Sequence, residues 1–254
     1  MAIPLGAPIS RTWGADEVAN PTRNSALEMR EILGSQCSGV GLEFGAGSSP
    51  FPLALNAYPV YLDIKSSAQL HQTLYPGQSG ANLVHSAFDM AIEKLQDWPE
   101  NSLDFVVACH VIEHTYNPLG VLLGAYKALR RGGRLVLTVP DKERTFDRER
   151  QITSFEHVTA DFRRRSKSRD LEHYYDYGKN VLALDHAASV QYAKEGCASG
   201  ADIHYHVWDF VSFGEMIDKA EELIGFKWSE KKGIPTLPDD GAGNNIEFYY
   251  SLVK

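Results

Sequence analysis

Apolar positions along this chain alternate between two spacings. Short, nearly continuous apolar runs predict strands at Val40, Leu42 and Phe44, at Pro59 to Ile64, at Leu103 to Cys109 and at Arg134 to Val139. A weaker candidate runs from Asn82 to Ser86. The Leu103-Asp-Phe-Val-Val-Ala-Cys109 run is the pattern of a strand covered on both faces. Helical spacings lie around and between these runs. Ala26, Leu27, Met29, Ile32 and Leu33 recur at near-helical intervals behind an Asn24-Ser25 cap, and Gly34 stops them. Asn117 and Pro118 supply an N-cap and a first-turn proline for a helix from Leu119 to about Arg130, with Gly132-Gly133 after it. Ser212-Phe-Gly-Glu215 has the spacing of a capping box and leads into Met216, Ile217, Ala220, Leu223 and Ile224, closed by Gly225.

Strands alternating with helices predict an α/β fold with a doubly wound, mostly parallel sheet. Residues 142 to about 200 break the alternation. Arg, Asp, Tyr and His are dense there, and the segment reads as a polar insertion after strand five. Phe226–Trp228 and Asn245–Val253 predict two short strands in a hairpin at the sheet edge.

The 254 residues suit one domain with a sizeable core. No apolar run approaches the roughly 18 residues that span a bilayer. The start, MAIPLGAPISRTWGADE, lacks a basic region followed by an apolar one, so no secretory leader is expected and the cytoplasm is the expected location. Cys37, Cys109 and Cys197 are too few and too scattered for a disulfide framework or a zinc knuckle. A formal charge of −8 argues against general nucleic-acid binding.

The first chemistry-bearing string is Glu43-Phe-Gly45-Ala-Gly47-Ser-Ser49, directly after a predicted strand. Glycines there let a ligand reach backbone amides that a Cβ would shield. Ser49 replaces the third glycine of a dinucleotide fingerprint. Asp63 ends the next strand twenty positions after Glu43, where an acid accepts hydrogen bonds from both hydroxyls of a ribose.

Four segments, GLEFGAG, YLDI, NSLDFVVACHVIEHTYNP and LRRGGRLVLTVPDK, occur in that order over residues 41–142. Together they resemble the S-adenosylmethionine-dependent methyltransferases with the seven-stranded Rossmann-like sheet, whose last strand is antiparallel. The DFVVACHVIEH…NP…LRRGG block separates this resemblance from the dinucleotide dehydrogenases. It implies S-adenosylmethionine as cofactor, with Glu43, Phe44, Gly45, Ala46, Gly47 and Ser48 around its methionine and ribose. Asp63 then holds the ribose hydroxyls, Ile64 lies against the adenine, Phe88-Asp89 brings an acid toward the adenine amino group, and Cys109 and His110 line the methyl-transfer cleft. The implied division is residues 1–35 as a helical lid, 36–141 as the cofactor half, 142–206 as the acceptor-binding insertion and 207–254 as the final helix and hairpin.

A hydroxyl acceptor calls for a base, whereas an amine needs only its lone pair. His157 and His114 are the candidate bases, each with a plain packing role as its alternative. PDKERTFDRERQITSFEHVTADF resembles a subgroup of the family found beside glycosyltransferases in bacterial surface-polysaccharide pathways, which points to a small or sugar-derived acceptor. Residues 142–169 hold nine Lys/Arg against five acids. Arg144 and Arg148 therefore fit a phosphorylated acceptor, with Asp141 beside them. His204 and His206 alternate, so a strand would place both on one face toward the substrate. With Asp141 or Asp202 they could hold a divalent ion, but two histidines do not make a site, and no metal is assigned. The competing readings are a small-molecule N-methyltransferase and a non-catalytic cofactor-binding scaffold.

Overall fold

The computed structural model describes residues 11–12, 25–73, 83–164, 171–239, 241 and 243–254. Most of the segment expected to form a lid, including Trp13 and Asn24, lies outside them, as do Asn82 and the cations at 165, 167 and 169.

Among the described residues, eight strands form one sheet. In chain order they are β1 (Arg11–Thr12), β2 (Gly39–Phe44), β3 (Ala57–Asp63), β4 (Phe88–Asp89), β5 (Leu103–Cys109), β6 (Leu129–Pro140), β7 (Glu230–Ile234) and β8 (Glu247–Val253). Their spatial order is β1-β7-β8-β6-β5-β2-β3-β4. Every adjacent pair is parallel except those of β8, which runs antiparallel to both β6 and β7. Without the two-residue β1 this is a seven-stranded, mostly parallel sheet with an antiparallel C-terminal strand, as predicted.

The apolar run of β5 explains why the sheet is doubly wound. Val106 and Ala108 face the larger core with α3 (Pro118–Ala128) and α7 (Phe210–Ile224). Phe105 and Val107 face the opposite way, against Met29 and Leu33 of α1 (Ala26–Gly34). Period-2 alternation with apolar residues in both phases buries both faces. The remaining helices are α2 (Ser67–Thr73) and, in the insertion, α4 (Phe155–Arg164), α5 (Leu171–Asn180) and α6 (His186–Ser199).

Several boundaries differ from the sequence reading. Ser25 caps α1 through a reciprocal box with Glu28. The helix opened by Asn117 stops at Ala128 rather than near Arg130, because Leu129 already pairs with Leu103 as strand. In place of the weaker strand expected from Asn82 to Ser86, the structure has β4 at Phe88–Asp89, and residues 83–86 are irregular. The box at the start of α7 is Asp209 with Ser212, not Ser212 with Glu215: the Asp209 carboxylate accepts from Ser212 N at 2.7 Å, and Asp209 N donates to Ser212 Oγ. Phe226 and Trp228 pack around Tyr126 instead of forming a strand, which leaves the more polar Glu230–Ile234 to pair with β8.

Candidate active site

The sheet reverses its strand order between β2 and β5. The carboxyl ends of neighbouring strands diverge at such a point, and open α/β sheets bind ligands in the crevice this leaves. A cleft of about 790 Å³ opens there. Phe44, Gly45 and Gly47 line it from the turn after β2, Asp63, Ile64 and Lys65 from the end of β3, and His110, Val111, His114 and Thr115 from the turn after β5.

The glycine turn depends on its residue types. Gly45 has φ +71°, and a Cβ there would lie 2.7 Å from Val111 Cγ2. Only glycine keeps this backbone against the far wall without strain. Glu43 supports the turn from behind: its buried Oε1 accepts from Phe51 N at 2.7 Å. Burial pushes the Glu43 carboxyl up to about 7, against that hydrogen bond. Glu43 is not among the cleft-lining residues.

Asp63 does line the cleft. Burial raises its pKa, opposed by backbone hydrogen bonds, including the 3.0 Å bond from Lys65 N. With the apolar floor of Ile64, Leu70, Met90 and Ile92, this arrangement fits an adenosine: an acid for the hydroxyls, an apolar slot for a ring and glycine backbone at the turn after β2. Phe88 and Asp89 are not in the lining. Phe88 stacks on Trp98, and Met90 and Ile92 take the floor positions.

His110 reaches the cleft with φ +53°, a backbone state rare outside glycine, and its amide donates to Thr138 O. Its Nε2 is 2.6 Å from Glu247 Oε2, and Arg30 grips the same carboxylate at 2.9 and 2.5 Å. Cys109 turns toward α1 and away from the lining. Burial lifts its thiol to about 12.

His114 stands on the wall that this cleft shares with a second pocket of about 780 Å³, lined also by Tyr116, Ala201 and Tyr205. Its Nδ1 is 2.9 Å from Asp202 Oδ1, and Lys65 Nζ lies 3.7 Å from the other Asp202 oxygen. Burial works to lower the His114 pKa, but the Asp202 hydrogen bond and the Glu113 charge outweigh it and leave it raised. The buried Glu113 lies 3.9 Å from His114 Nε2, and neither of its oxygens accepts a hydrogen bond. Asp202, absent from the site residues expected from sequence except as a metal option, completes the wall.

The other expected residues are held elsewhere. Asp141 accepts from Thr236 Oγ1 at 2.6 Å and caps the short turn Lys142–Arg144. Arg144 and Arg148 are exposed and do not line the cleft. Residues 203–207 are irregular rather than a strand, so His204 and His206 go to different partners. His204 Nδ1 meets Asp147 Oδ2 at 2.6 Å, while its ring packs edge-on against His114. His206 and His157 lie together in a separate cluster with Asp161 and His173. His157 therefore does not line the cofactor cleft.

Among the described residues, two side-chain groups near the cleft have metal-ligand spacing, Cys109/His110/Glu247 and Glu113/His114/His204. In the first, Arg30 already neutralises the carboxylate.

A glycine turn, an acid at the end of β3 and a histidine wall meet at the switch point of a Rossmann-like sheet. Residues 42–137 match the family of the methyltransferase domain. The chain thus carries an S-adenosylmethionine-dependent methyltransferase domain and is an enzyme of that class, with S-adenosylmethionine as methyl donor. The fold is shared with an S-adenosylmethionine-dependent methyltransferase from Mesorhizobium loti, at 12% identity, 90% of this chain, 98% of that one and a TM-score of 0.50. A possible histamine N-methyltransferase from Thermotoga maritima aligns at 17% identity over 89% of this chain and 88% of that one, with a TM-score of 0.46. None of the curated protein sequences matches. No helix among the described residues is long and apolar enough to cross a membrane.

Proposed function

We propose that this protein methylates a hydroxyl of a small, carbohydrate-like acceptor, with His114 as general base. The observation that carries the reading is the His114–Asp202 pair on the wall between the cofactor cleft and the second pocket. Bound S-adenosylmethionine supplies an electrophilic methyl group. Asp63 and the glycine turn orient the donor, and Ala201, Asp202 and Tyr205 give the insertion a direct part in the acceptor pocket. Asp202 accepts from His114 Nδ1–H, which fixes the tautomer and leaves Nε2 to take the acceptor proton. His157, the other candidate base, lines a different pocket with Arg150 and Glu172. The absence of strong positive charge supports a small acceptor rather than nucleic acid. Three free cysteines support a reducing compartment such as the cytoplasm.

The test is methyl transfer by His114→Asn across an acceptor panel of sugars, sugar phosphates and amines. An O-transferase with this base loses roughly 10²-fold or more in rate. An undiminished rate would point to an amine acceptor, which needs no base.

A second reading has its own observation. His114 and His204 each meet a carboxylate through Nδ1, Asp202 and Asp147 respectively, which is the outer-sphere arrangement of metal-binding imidazoles, and Glu113 lies between them. A divalent ion there would activate the hydroxyl directly. Loss of turnover in chelator, restored by added cation in His157→Ala as in wild type, would favour it.

A further inference from the structure

Four side chains converge inside the insertion, away from the cofactor cleft. His157 and Asp161 stand four residues apart on one face of α4. His173 comes from α5, and His206 from the irregular segment before α7. His157 Nε2 lies 2.6 Å from His173 Nε2. Asp161 Oδ2 lies 3.2 Å from His157 Nε2, 3.6 Å from His173 Nε2 and 3.8 Å from His206 Nε2. Each residue offers one ligand-type atom, and all four atoms fall within 4.8 Å of one another. Tetrahedral ligands with bonds of about 2.0–2.1 Å to zinc stand about 3.3 Å apart, so these separations bracket that edge length.

Burial makes the arrangement hard to explain as packing. His206 has 0% exposure, and neither of its ring nitrogens has a hydrogen-bond partner. A buried polar group in that state bears its full desolvation cost. Only one proton fits between the Nε2 atoms of His157 and His173.

We propose that His157, Asp161, His173 and His206 bind one divalent transition-metal ion, zinc by the chemistry of three imidazoles and a carboxylate, and that it ties the helices of the insertion to its last segment. Four protein ligands close the coordination sphere, which makes the ion structural. Imidazole donors select zinc, copper, iron or nickel over magnesium or calcium. The ion ties α4 and α5 to the segment whose other end carries Asp202 and His204, so it positions the acceptor wall without touching it. His157 is the least buried ligand, at 32% side-chain exposure, and opens onto the pocket that Arg150, Ser154 and Glu172 line, which gives an entry path.

The experiment uses tag-free full-length protein. It is stripped with chelator, titrated with Zn²⁺ against a chromogenic competitor and, separately, loaded with Co²⁺ for its visible spectrum. The expected result is about one tight Zn²⁺ per chain and the intense d–d absorption of tetrahedral Co²⁺. His157→Ala and His173→Ala then lose more affinity than the roughly 10–100-fold that removing an outer-sphere partner costs. His114→Ala and the exposed His186→Ala keep both signals. Thermal melts of the variants establish that they are folded, and His157→Ala, on the open side, carries the test if His173→Ala is not. Zn²⁺ affinity equal in wild type and folded His157→Ala would overturn the proposal, as would a Co²⁺ spectrum of octahedral type.

Discussion

His114 Nδ1 and Asp202 Oδ1 meet at 2.9 Å across 88 positions of sequence, joining the turn after β5 to the end of the insertion. The bond helps hold the His114 pKa above its ordinary 6.5, against burial. A general base must be neutral to act, so kcat/KM should rise with pH along a limb placed above 6.5. Asp202→Asn removes the charge and moves that limb to lower pH while reducing the rate. Superimposable pH profiles of wild type and Asp202→Asn would show that His114 is not the group titrating.

Gly45→Ala tests the turn. A Cβ at φ +71° costs roughly 1–2 kcal/mol in backbone strain. It also meets Val111 Cγ2 at 2.7 Å. Cofactor affinity should fall about tenfold, with a lower urea midpoint, as measured by calorimetry and denaturant titration. Unchanged affinity would mean that the turn does not approach the ligand.

What was legible in sequence was local. The glycine turn, Asp63 and His110 follow directly from strands whose apolar runs declare their ends, so the cofactor half could be read without knowing the packing. The insertion was not legible. His157, His173 and His206 are brought together by two helices and an irregular segment, and no fixed spacing encodes that meeting. His204 and His206 suggested a shared strand face, but residues 203–207 do not extend as a strand and the two rings part. Asp209 displaced Ser212 as the N-cap of α7 because a carboxylate one turn earlier was equally able to accept the amide.

Arg150 anchors the insertion. Its guanidinium donates to Asp147 at 2.8 Å, to Asp176 at 2.6 Å and to the carbonyls of His204 and Tyr205. Arg150→Met leaves Asp147 buried with one partner fewer and should cost about 3–5 kcal/mol in urea unfolding. Burial opposes ionisation of Asp147, but His204 and Arg150 outweigh it and lower its pKa below 3.8. Its stabilising effect is therefore present above pH 3.8 and lost as pH falls through the lowered value. Arg150→Met should lose less stability than wild type on acidification. A cost below 1 kcal/mol would contradict the anchoring role.

Glu43 predicts a pH effect of opposite sign. Its carboxyl titrates near 7 in the folded state against 4.5 ordinarily, so folding takes up a proton between these values. Stability should decline as pH rises from about 4.5 to 7 and then level off. Glu43→Gln keeps an oxygen for Phe51 N and removes the burial of charge, so it should flatten this decline and gain up to about 3 kcal/mol at pH 8. Parallel stability curves for the two proteins would contradict the assignment.

The most direct test of the central claim is calorimetric titration of the protein with S-adenosylmethionine and with its demethylated product, beside Asp63→Ala. Both ligands should bind with micromolar affinity, weakened roughly 100-fold in Asp63→Ala by the loss of two charge-assisted hydrogen bonds of about 1.5 kcal/mol each. Equal binding by wild type and Asp63→Ala, or none by a folded wild type, would contradict a cofactor site built on Gly45, Asp63 and His110.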